Sequence, residues 1–218
     1  IVPLYAKLAY PWATKIIAPN VCSVGRWHSK KVGYDGYHEL AYLHPENFLP
    51  DKEIASKYIK TARPLTLIRF AKLGAHHDTG VKGISDELAL DIIDRLNKKS
   101  DIIISSERKL AEGLEPFRKI VAPQDIHHLM AQSSFFIGDS QTMAAESGVL
   151  GVPFIRVNDF VGKIGYLNEL EEKYNLGIGI KPSDEKRLID EISKFDFSDK
   201  NKKEHLNKRQ QMLSDKID

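Results

Sequence analysis

Residues 134–155 hold the side chains best suited to chemistry: Ser-Phe-Phe-Ile-Gly-Asp-Ser-Gln-Thr-Met-Ala-Ala-Glu-Ser-Gly-Val-Leu-Gly-Val-Pro-Phe-Ile. The pattern predicts a strand, a small polar turn, a helix, a Gly-Val-Pro turn and a second strand. At the carboxyl end of a parallel strand, such a turn presents the free N–H groups of the next helix, whose positive dipole end favours a phosphate. Ser140 and Thr142 can add hydroxyl donors. Glu146 lies four residues past Thr142, one turn further along, where its carboxylate can accept hydrogen bonds from a sugar diol beside the phosphates. That spacing suits a nucleotide. It is equally the spacing of an N-cap at Ser140 or Thr142 followed by a solvated Glu146, so spacing alone does not choose.

Other polar groups are expected at the same end of the sheet. The stretch Arg69-Phe70-Ala71-Lys72-Leu73-Gly74-Ala75-His76-His77-Asp78-Thr79-Gly80 forms a long polar loop where open α/β sheets bind ligands. Arg69 can present a planar fork to phosphate oxygens, and His76, His77 or Asp78 can transfer a proton; a surface loop facing water is the alternative. Arg156 and Asn158 end the strand after the Gly-Val-Pro turn and are expected to face the same crevice. No metal is expected, since His76-His77 and His127-His128 lack the i, i+4 spacing that puts two imidazoles on one ion. Gly138-Asp139-Ser140 also matches a serine-esterase block, but the late histidine, His205, has Lys202 where that family needs Asp, and no triad assembles.

The elements that must position these groups alternate. Six short apolar runs, at 65–70, 102–104, 119–121, 134–137, 154–157 and 178–180, read as strands buried on both faces. Helical periods lie between them. Ser85 is expected to cap one helix, Asp125 a shorter one and Ser183 a later one, while a helix with Leu167 and Leu170 is expected to end near Gly177. The fold class is therefore α/β, a Rossmann-like three-layer domain with a mainly parallel sheet. Residues 51–198 form that domain, residues 1–50 read as the remnant of a preceding domain and a linker, and residues 199–218 as a polar C-terminal helix, solvated or docked on something else.

Composition bounds the rest. The 218 residues are 42% hydrophobic and 28% charged, which permits a real core. With 32 Lys and Arg against 30 Asp and Glu, the net charge of +2 excludes a nucleic-acid footprint. A single cysteine, Cys22, excludes an internal disulfide and suits a cytoplasmic setting. No apolar run approaches the ~20 residues that span a bilayer.

The 134–155 segment resembles the donor-binding signature of GT-B nucleotide-sugar proteins, particularly the UDP-N-acetylglucosamine 2-epimerase group, whose pattern runs Asp-Ser-Gly-Gly, three residues, Glu, then Gly-x-Pro. Asp139, Ser140 and Glu146 match it, whereas Gln141 and Thr142 replace the two glycines. Residues 121–131 are similar to the Pro-x-Asp helix that precedes the signature, and residues 33–45 with Arg69-Phe70 look like a microbial family of GT-B-like proteins of unknown function. The resemblance implies the C-terminal, donor-binding half of a GT-B fold, with a nucleotide sugar, a UDP-sugar, as substrate and no cofactor. Ligand-binding residues are then Arg69, Gly138, Asp139, Ser140, Gln141, Thr142, Glu146 and Arg156, and catalytic candidates His76, His77 and Asp78. Glycosyl transfer or sugar epimerisation in surface polysaccharide biosynthesis is the implied activity; a non-catalytic nucleotide-sugar-binding or assembly module is the alternative. It also implies a missing N-terminal domain as partner, and exposed apolar surface that favours a homo-oligomer.

Overall fold

In a computed structural model the described residues are 2, 4–71 and 83–216. The chain opens with α1 (Leu4–Ala9), then β1 (Ile16–Pro19) and β2 (Lys31–Tyr34), a parallel pair separate from the main sheet. Two short helices follow, α2 (Leu40–Leu43) and α3 (Lys52–Ser56). The remaining elements are β3 (Leu65–Phe70), α4 (Asp86–Leu96), β4 (Asp101–Ser106), α5 (Ile126–Gln132), β5 (Phe135–Gly138), α6 (Gln141–Leu150), β6 (Phe154–Val157), α7 (Gly165–Asn168), β7 (Gly177–Ile180), α8 (Glu185–Lys194) and α9 (Asp199–Ser214). The main sheet has the order β4-β3-β5-β6-β7, with every pair parallel.

Alternation along the strands sorts two cores. Ile68, Phe70, Ile102, Ile104, Phe135 and Ile137 pack with Leu88, Ile92 and Leu96 of α4 and Leu188 and Ile192 of α8. On the opposite face Leu65, Leu67, Ile103, Phe136 and Phe154 pack with Leu129 of α5, with α6 and with Leu167. Helix α6 is buried from Met143 to Leu150, Glu146 and Ser147 included. It ends in a Schellman turn: Val152 N–H donates to Ser147 O and Gly151 N–H to Gly148 O, with Gly151 at φ +80°. That turn is why Gly-Val-Pro follows the helix.

Four sequence expectations are corrected. Residues 119–121 do not form a strand: the chain makes one parallel bridge, Arg118 to Ile104, and then leaves the sheet edge with Ile120 90% exposed, because Pro123 opens the next turn. Asp184 rather than Ser183 caps α8, accepting from the Arg187 amide at 3.3 Å. Asp125 starts α5 without capping it, because its carboxylate is turned inward to accept from Tyr58 Oη at 2.8 Å. The helix bearing Leu167 and Leu170 widens into a π turn over Glu169–Lys173 and stops before Gly177, with Asn175 at φ +50°.

The last helix is not merely solvated. Ser198 caps it, and its far end docks on this same domain: Met212 and Leu213 enter the core, and Arg209 Nε donates to the Val149 carbonyl at 2.6 Å. Beyond it, Lys216 is buried between Glu169 at 2.8 Å and Asp35 at 3.3 Å and lies over the Tyr37 ring. The end of the chain is thereby tied to the segment preceding α2.

Candidate functional site

The strand order places a topological switch point between β3 and β5: the chain leaves β3 toward β4 on one side and leaves β5 toward β6 on the other. Open α/β sheets bind ligands outside the strand carboxyl ends at such a point. Gly138 and Arg69 are partners in register there. A Cβ on Gly138 would lie 2.8 Å from the Arg69 carbonyl oxygen and 3.0 Å from the Phe136 ring, so the turn needs glycine to keep β5 against β3. Gly138→Ala is expected to lower stability by about 1–3 kcal/mol, the usual cost of overpacking; an unchanged urea midpoint would contradict this packing.

Asp139 follows, 3% exposed. Its Oδ1 accepts from the Ala71 amide at 2.6 Å, its own amide reaches back to the Arg69 carbonyl, and Asn158 Nδ2 donates to its carbonyl at 3.3 Å. The turn is thus clamped to the ends of both β3 and β6. Burial pushes the Asp139 carboxyl up to about 6, against the opposing pull of the Ala71 amide and Arg108. Arg108 itself holds Asp86 at 2.7 Å and the Ile84 carbonyl at 2.8 Å while its guanidinium lies over the Phe70 ring.

Ser140 caps α6, its hydroxyl accepting from the Met143 amide at 3.4 Å. The Ala144 amide bonds the Ser140 carbonyl, and among the described residues the amides of Gln141 and Thr142 have no acceptor. Gln141 is half-buried and Thr142 exposed, so the helix start faces outward.

Glu146 is 6% exposed. Tyr42 Oη donates to Oε1 at 2.9 Å, and His127 Nε2 lies 3.0 Å from the same atom. Tyr42 comes from α2, so the segment ahead of the main domain builds one wall of this site. Burial, with the Glu146 carboxylate beside it, holds the Tyr42 phenol above its usual value, and it remains a donor. Glu39, the residue just before α2, is buried too; burial and then the charge of Glu146 raise its carboxyl.

The two arginines make protein contacts. Arg69 Nη1 donates to Ser105 Oγ at 2.7 Å and Nη2 pairs with Glu107. Arg156 is fully buried, with Nε 2.9 Å and Nη2 2.8 Å from Glu171 Oε1. His76, His77 and Asp78 lie outside the described residues. Among the described residues no group of three His, Cys, Asp or Glu could hold a metal ion, and no helix is long and apolar enough to cross a membrane. A cavity of about 420 Å3, lined by Gly83, Ser85, Leu88, Asp159 and Ser183 among others, opens beside the N-termini of α4 and α8.

The sequence reading missed Tyr42, the pairing of His127 with Glu146, Arg108 and Glu171. Tyr42 alone had a signal, its place in the 33–45 motif; the others are contacts between residues 15 to 22 positions apart that no local pattern reports.

A family model described as "Protein of unknown function (DUF354)" matches residues 4–212. The chain belongs to that family. No curated protein matches it. Among solved structures the fold is similar to WaaG, a glycosyltransferase involved in lipopolysaccharide biosynthesis, with TM-score 0.59 and 16% identity over 86% of this chain and 53% of WaaG. It is also similar to CalG4, the calicheamicin glycosyltransferase, with TM-score 0.50 and 14% identity over 77% of this chain and 42% of that one. The family member described here thus spans about half the length of the glycosyltransferases it matches, and at these identities the likeness is one of fold. That shared fold is Rossmann-like α/β, a parallel five-stranded sheet flanked by helices.

Proposed function

We propose that this chain binds a nucleotide sugar, a UDP-sugar, as the donor half of a GT-B glycosyltransferase or sugar epimerase. The observation that carries this is the co-location at the switch point of a glycine-tight strand end, two unpaired helix-start amides at Gln141 and Thr142, and a carboxylate one turn further on. The diphosphate sits on the amides and the Ser140 hydroxyl, and the ribose against Glu146. Arg69 and Arg156 reach a phosphate only by giving up Glu107 and Glu171. The glycosyltransferase fold of WaaG and CalG4 supports this assignment by analogy, as does the epimerase-like Asp-Ser…Glu spacing. Transfer or epimerisation then belongs to the intact protein, with an N-terminal domain closing the cleft, His76, His77 or Asp78 moving the proton, and surface polysaccharide as the cytoplasmic pathway's product.

Calorimetric titration with UDP and UMP tests the assignment. UDP is expected to bind at least about tenfold more tightly than UMP, with Ser140→Ala and Glu146→Ala each weakening UDP by a similar factor. A folded protein that binds neither nucleotide, alone or within the full-length chain, would remove the assignment.

A further inference from the structure

The environment of Glu146 is asymmetric. Tyr42 of α2 donates to Oε1 and the His127 ring nitrogen of α5 lies 3.0 Å from the same atom, while Oε2 has no partner among the described residues and is not sealed from solvent. An almost buried carboxylate normally satisfies both oxygens, because each unmet acceptor forfeits the hydrogen bonds it had in water. Tyr42 and His127 also pack on one another, with ring centroids 5.7 Å apart, and Phe48 lies against His127 at 6.1 Å. The direction in which Oε2 points is therefore set by residues that are themselves held.

We propose that Tyr42 and His127 are positioning residues that fix Oε2 of Glu146 as the atom reading a ribose diol, and so set a preference for ribonucleotides over deoxyribonucleotides. This rests on the nucleotide reading above and adds to it the origin of sugar discrimination. Donation to Oε1 orients the carboxylate plane; with Oε1 occupied, the two hydroxyls of a cis-diol share Oε2. Losing one hydroxyl removes a hydrogen bond to a charged acceptor, which predicts at least about a tenfold preference for UDP over 2′-deoxy-UDP. A freely rotating Glu146 loses most of it.

The test is calorimetric titration of the wild type, Tyr42→Phe, His127→Leu and His127→Gln with UDP and 2′-deoxy-UDP, with melting curves as the folding check. Tyr42→Phe keeps the ring and removes one donor. It and His127→Leu are expected to cut the UDP preference to about threefold or less while 2′-deoxy-UDP affinity stays within about twofold; His127→Gln, which offers an amide N–H in place of the ring nitrogen, keeps the wild-type ratio. An unchanged ratio in both Tyr42→Phe and His127→Leu overturns the proposal. So does a parallel loss of both nucleotides, the mark of a merely structural role. If the wild type binds UDP with no preference, the diol assignment fails while the diphosphate assignment stands; if it binds neither nucleotide, the nucleotide reading fails first.

Discussion

Arg156→Ala is expected to lower the unfolding free energy by about 3–5 kcal/mol, and with it the melting temperature by roughly 10 °C or more. Arg156 has no exposed surface, and its guanidinium sits on Glu171, whose carboxylate is nearly as buried. Removing the cation strands that carboxylate in a site where burial already raises its pKa, with Arg156 the main opposing influence. The sign of the pH effect follows. A folded-state pKa above the unfolded value means the penalty is absent at low pH and grows as pH rises, so the deficit of Arg156→Ala should shrink on acidification toward the ordinary carboxylate range. Replacing both partners, Arg156→Met with Glu171→Leu, is expected to cost less than the single change, because no charge is left unpaired. Urea unfolding of the wild type and the two variants between pH 4.5 and 7.5 checks this. A single variant that melts like the wild type yet loses UDP would instead make Arg156 a ligand contact that gives up Glu171 on binding.

The second large effect belongs to Asp139. Its ordinary carboxyl value of 3.8 is pushed up to about 6 in the folded protein, chiefly by burial. The folded state therefore holds the proton more tightly than the unfolded chain. Stability from this group is fully present below about pH 4 and is lost as pH rises through about 6, an effect of up to about 3 kcal/mol from a shift of roughly two units. Asp139→Asn keeps an oxygen for the Ala71 amide and cannot ionise. The difference in unfolding free energy between wild type and Asp139→Asn is thus expected to move in favour of the variant from pH 4 to 7, while other carboxylates cancel. Parallel pH profiles would show that Asp139 is not the buried acid described. Because its carboxylate holds the end of β3 and its carbonyl holds Asn158, the same comparison reports how firmly the turn before α6 is clamped.

What was legible in the residue order was local. Leu65–Phe70 and Phe154–Val157 could be read as strands because nearly continuous apolar runs of that length are buried on both faces of a parallel sheet, and Ser85 as a cap because its hydroxyl reaches an amide three residues away. The strand-turn-helix at 135–150 was equally visible, since glycine, small polar residues and an apolar helix follow one another without interruption. Residues 119–121 had the same local look and failed, because strand pairing depends on a neighbour at the sheet edge and the chain turns away after one bridge. The partners of the charged groups lay beyond any local pattern. Glu146 meets Tyr42 across 104 positions, and Lys216 meets Asp35 across 181. Arg156 finds Glu171 only once the helix after β6 folds back over the sheet. Helix and strand identity rests on interactions over a few residues, whereas the state of a carboxylate or guanidinium rests on burial and on which opposite charge the fold brings within about 3 Å, and only the packed chain decides those.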